Sequence, residues 1–125
     1  MNAETIPSGQ LACLLRDAAA GMLADMAAAG LICRHGRFLG DPAFRRIIAA
    51  GSPVTDGQPF AVIRWNAALR ALEHGRLPCS GSERAVLMIA ASLAEGTPVS
   101  LRDCLGNLDR RNLALVTGAI TTANG

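Results

Sequence analysis

The stretch SGSERAVLMIAASLAEG, residues 80–96, decides the fold. Ser80 and Glu83 stand at the S-x-x-E spacing of a capping box. In that motif the serine oxygen accepts from the N3 amide and the glutamate reaches back to the N-cap amide. Ser82 offers a second cap. From about Glu83 to Glu95, Val86, Leu87, Ile89, Ala90, Leu93 and Ala94 recur over a wide arc, with Met88 on the other side. So wide an apolar surface marks a helix covered by several neighbours. The sequence therefore predicts an all-α fold, a single-domain bundle of about five to six helices around a central helix near residues 83–95.

Composition supports that expectation. Half of the 125 residues are apolar and 18% are charged, which excludes disorder driven by low hydrophobicity and high charge. One domain of this length buries a continuous core without metal or disulfide staples. With Trp65, three Phe and no Tyr, the core must come from Leu, Ile, Val, Met and many alanines, as in close-packed helices. Residues 1–8 and 122–125 are expected to fray.

Gly and Pro divide the rest into helical blocks, and no stretch alternates clearly as a β-strand. A first helix is expected from about Gln10 to Ala29, with Ser8 as N-cap and Gly30 just past its end; its apolar stripe is Leu11, Leu14, Leu15, Ala18, Met22 and Met26. Asp25, on the edge of that stripe, reads either as an acid aimed into a cleft or as one that reaches water or an arginine. After the linker LICRHGRFLG, Asp41 and Pro42 open a short second helix that ends before Gly51. Beyond the turn-rich SPVTDGQP, Pro59 opens a third to about His74, in which Trp65 reads as a core anchor. Ser100 caps two turns to about Gly106. Asp109 caps a last helix with Leu113, Val116 and Ile120 on one face.

Candidate chemistry centres on Cys79. A thiol just before a helix N-terminus and near Arg84 can have its pKa lowered, so Cys79 is the candidate reactive thiol. A thiol-phosphatase loop, however, places one residue more between cysteine and arginine than the four separating Cys79 from Arg84. A base is also required, and only His35 and His74 exist. His74, at the end of the third helix, has a structural role available in satisfying terminal carbonyls. No catalytic residue is assigned, and the chain reads as non-enzymatic. The four cysteines and two histidines show no paired ligand spacing of a zinc site, so no metal is expected, and no nucleotide or cofactor fingerprint is present. Arg110 and Arg111 fall in the first turn of the last helix, where positive charge opposes the macrodipole. Together with Arg84 they are the candidates for binding an anion or an acidic partner.

All twelve basic residues are arginines, set against ten acids, and none forms the concentrated patch of a non-specific nucleic-acid binder. Residues 80 onward do outline a helix-turn-helix. Yet the helix in the recognition position would be LRDCLGNL, which carries Asp103 toward an anionic duplex. The preferred reading is a cytoplasmic helical interaction protein acting through self-association, as a homodimer, or through a protein partner. Its apolar faces outnumber those that one small bundle covers. A helix-turn-helix-like nucleic-acid-binding regulator is the alternative, and a cysteine-dependent enzyme stands behind both. No secretory signal or membrane span is expected.

The words LPCSGSER, AASLAEGTPVSLRD and LDRRNL, within residues 64–116, resemble the C-terminal part of small uncharacterised proteins of high-GC bacteria. The resemblance covers under half the chain. It implies a helical protein but no activity, and it carries over no catalytic or binding residue.

Overall fold

The structure, a computed structural model, describes residues 2–52 and 57–125. Among them the order is α1 (Ser8–Ala19), α2 (Leu23–His35), α3 (Pro42–Arg45), β1 (Ile48–Gly51), β2 (Phe60–Ile63), α4 (Trp65–Glu73), α5 (Gly81–Glu95), α6 (Leu101–Asn107) and α7 (Arg110–Asn124), with short 3-10 turns at Ala3–Thr5 and Phe38–Gly40. The fold is mostly helical, but the all-α expectation needs correction. β1 and β2 pair antiparallel with Ile48 opposite Ile63 and Gly51 opposite Phe60. Four-residue strands are too short to show alternation in sequence, and pairing across the intervening loop selects them. Of the turn-rich segment 52–59, residues 53–56 lie outside those described.

The sheet shortens two expected helices. Asp41 caps α3 through its bond from the Ala43 amide (2.9 Å) and Pro42 takes the first helical position, but the helix stops after one turn. Pro59 opens no helix. α4 begins instead at Trp65, behind Arg64, whose guanidinium donates to the carbonyls of Ile47 (3.0 Å) and Arg46 (2.9 Å).

The long first helix is also two helices. Gly21, at φ +90°, turns the chain between α1 and α2, a conformation that L side chains rarely adopt. Gly30 does not end a helix; it lies buried inside α2, where the Arg34 guanidinium sits 3.9 Å from the place of a Cβ. Gly36, at φ +84°, terminates α2. Ser8 is the first residue of α1 rather than its cap, and its hydroxyl accepts from Arg45 (2.7 Å).

Expectations for the second half hold closely. Ser80 and Glu83 form the capping box, Gly96 closes α5 in the left-handed region, and Ser100 and Asp109 cap α6 and α7. α5 packs against α2, α4, α6 and α7, with Ala85, Val86, Leu87, Ile89, Ala90 and Ala91 buried. α2 shares the centre: residues 27–32 are buried without interruption, and the helix lies between α5 and an antiparallel α7. Of the ends expected to fray, the N-terminal one buries Ala3 and Ile6 and gives their carbonyls to Arg45, while α7 continues to Asn124. Met1 lies outside the described residues. Among those described, no helix is long and apolar enough to cross a membrane.

Two glycines separate backbone demand from mere space. Gly36→Ala places a Cβ at positive φ and is expected to lower unfolding free energy by about 1–2 kcal/mol. Gly9→Ala, in the first turn of α1 with no atom near the new methyl, is expected to be neutral or to stabilise by up to about 1 kcal/mol. Urea unfolding of both variants checks the pair.

Candidate functional site

The start of α5 gathers the side chains that the sequence marks for chemistry. Ser80 Oγ accepts from the Glu83 amide (3.1 Å), and Glu83 Oε1 accepts from the Ser80 amide (2.8 Å). The other Glu83 oxygen holds Arg37 Nε at 2.6 Å. Arg37 also pairs with Asp41 (3.2 Å), donates to the Pro78 carbonyl (2.8 Å) and lies 5.8 Å above the Phe38 ring centroid. A single guanidinium thus fastens the loop before α5 to the loop after α2. Arg37 is the residue that sequence reasoning missed, since it sits in an apparent linker with no periodic partner.

Cys79 lies in this clasp, half-buried against the core. Burial pushes its thiol pKa up, and Glu83 and Asp41 add to that rise against Arg37 and Arg84. The helix start that was to activate the thiol already holds the Ser80 hydroxyl and the Glu83 carboxylate. His74 is engaged elsewhere: its Nδ1 lies 2.8 Å from the Arg70 carbonyl, the capping role open to it at a helix end. His35 is 7% exposed, and burial, with Arg111 second, lowers its pKa.

The three candidate arginines have separate neighbourhoods. Arg84 borders a groove between α5 and α6 with Asp103 and Asn107. Arg110 is exposed at the first position of α7 and makes no ion pair among the described residues. Arg111 donates to the His35 carbonyl at 3.0 Å, so its charge meets the negative end of the α2 dipole instead of an acidic side chain. Asn112 is 3% exposed and donates to Ser82 Oγ (2.7 Å), which also accepts from the Asp109 amide (3.1 Å). Polar groups at the start of α7 therefore join it to α5 and α2. Among the described residues, no three His, Cys, Asp or Glu side chains gather as metal ligands.

Beside the exposed Phe60 and Val62 of β2 and Leu101 and Leu105 of α6, two further surfaces remain open. The first is the outer face of α7. The expected stripe of Leu113, Val116 and Ile120 is divided: Val116 is buried, while Leu113 and Ile120 are 44% and 49% exposed. Between them Thr117 Oγ1 donates to the Leu113 carbonyl (2.8 Å), and Thr121 Oγ1 to that of Thr117 (3.0 Å). The hydroxyls are turned inward, so their methyl groups complete an apolar strip. No charged residue occurs from 112 to 124. The second surface is a groove of about 190 Å³ between α1, α2, β2 and the end of α5, bordered by Asp25, Trp65 and Glu95. Asp25 therefore faces a cleft and pairs with no arginine among the described residues.

Comparison with protein-family models, with curated proteins and with solved structures finds no match to this chain.

Two outcomes test the clasp. Alkylation of Cys79 at neutral pH, followed by mass mapping, is expected to run slower than that of an unstructured cysteine peptide, because the raised pKa depletes thiolate. Stability is expected to fall with acidification. His35, its pKa lowered in the fold, binds fewer protons than the unfolded chain just below its ordinary value of 6.5, so stability drops as pH falls through that window. For Glu83, burial raises the pKa, but the Ser80 bonds and Arg37 outweigh it and leave a net lowering. Its contribution is present above 4.5 and is lost as pH falls through the folded value. Urea midpoints at about pH 7 and pH 5 check the first step, which His35→Leu is expected to flatten.

Proposed function

We propose that this protein is a non-enzymatic helical interaction protein that pairs with a second copy of itself through the outer face of α7. The observation that carries the reading is the strip of Leu113, Thr117, Ile120 and Thr121, exposed, uncharged and with both threonine hydroxyl protons donated to the helix backbone. A neutral strip offers nothing for a charged partner to select and is complementary to its own copy, as a twofold contact requires. Met22, Leu23 and Met26 form a separate exposed group at the start of α2, and Met26 shares a groove with Thr122, on the opposite side of α7, and with Arg16 and Arg34.

The alternatives draw less support. In a helix-turn-helix the leading residues of the recognition helix reach for bases, but α6, the helix in that position, carries Asp103 in its first turn and exposes Leu101 and Leu105. A cysteine enzyme needs a depressed thiol pKa, and burial moves that of Cys79 the other way.

Sedimentation equilibrium is the test. The intact chain is expected to dimerise. Leu113→Glu and Ile120→Glu, both at solvent-facing positions, are each expected to weaken the dimer by roughly 30-fold, the effect of an interface hot spot, with unchanged helical circular dichroism. A monomer at every concentration, or a dimer indifferent to both substitutions, overturns the proposal.

A further inference from the structure

We infer that the groove between α1, α2, β2 and the end of α5 binds a small organic cation: an ammonium or guanidinium head on a short apolar stem. Its walls include Leu15, Ala19, Ala29 and Ala61, all buried and apolar. Trp65 also lines it and is 9% exposed. The indole N–H donates to no protein acceptor among the described residues, and it is not one of the polar atoms sealed from solvent. A nine-tenths-buried tryptophan that lines the groove thus carries a donor with no partner among the described residues. At the rim stand Asp25, half-buried, and Glu95, exposed; neither makes a hydrogen bond or ion pair among the described residues.

This combination selects the ligand by charge and size. Two carboxylates with no neutralising arginine repel an anion. A wholly apolar guest would desolvate them without compensation. A cationic head meets both and is attracted to the indole face, while its stem covers the alanine walls. An acceptor atom on the stem would take up the indole N–H. The volume of about 190 Å³ suits a guest slightly larger than benzene, which occupies an engineered cavity of about 150 Å³. The same head and stem occur in free alkylamines and in the lysine or arginine side chains of a partner protein. The groove lies apart from the α7 strip, so the two proposals stand or fall separately.

Trp65 is the only tryptophan in the chain, so its fluorescence reports on this groove alone. Titration of the full-length protein with n-butylammonium is expected to give a saturable change in Trp65 emission, with a dissociation constant in the millimolar range. The uncharged 1-butanol, of the same length, should give none at that concentration. Asp25→Asn and Glu95→Gln, both conservative and accessible, are each expected to weaken binding about tenfold with unaltered circular dichroism. Parallel titrations with N-acetyl-lysine amide and N-acetyl-arginine amide assign the source. Tighter binding than n-butylammonium points to a partner's side chain, and weaker binding to a free amine. No saturable change with any of the three cations, an equal response to 1-butanol, or full binding in both variants overturns the inference.

Discussion

The constraint on which the structure depends is the burial of α2. From Ala27 to Ile32 every residue is covered, with α5 on one side and α7 on another. Only small side chains let a helix be approached from several directions at once, which accounts for three alanines and a glycine in six positions. A buried helix must also have its ends satisfied, because unpaired carbonyls in an apolar setting cost about 1–3 kcal/mol each. At the C-terminal end of α2 the His35 carbonyl receives Arg111, Gly36 turns the chain, and Arg37 is at once tied to Glu83. The capping box of α5 is thereby more than a local device. Its glutamate joins the first half of the chain to the second.

What was legible in the sequence follows the range of the interactions involved. Ser80, Ser100 and Asp109 bond to amides three residues away, so their helix starts could be read from local spacing. Gly21 and Gly30 were not distinguishable in that way. Both interrupt an alanine-rich run, and only the packing of α1 against α2 makes one a turn and the other a buried contact with Arg34. β1 and β2 depend on partners across a loop, and the caps at Asp41 and Pro42 give no sign that α3 stops after one turn.

The candidate sites were legible to the same uneven degree. Leu113, Val116 and Ile120 do share a face in sequence, but Val116 is offset around the helix from the other two, toward α2 and α5. The position of those neighbours, not the periodicity, decides that Val116 is buried and the other two are exposed. Asp25 offered both a cleft and a solvated reading, and the structure places it on the groove. Trp65 read as a core anchor, and it is one; its place at the groove as well depends on the end of α5 and on β2, whose approach no local pattern encodes. Glu95 marked only the end of a helix.

Arginine usage has a structural account that bears on function. Arg37, Arg45, Arg64 and Arg111 each donate to backbone carbonyls of segments distant in sequence, several of them at turns or helix ends. A forked guanidinium can serve two or three such acceptors at once; Arg45 reaches Ala3, Ile6 and Ser8. A lysine ammonium, compact and strongly hydrated, would make these bonds less well. These four arginines therefore act as internal clips, and the small excess of positive charge is in part bound within the fold. That leaves the neutral strip of α7 and the carboxylate-rimmed groove among the surfaces whose chemistry is not already satisfied by the chain itself.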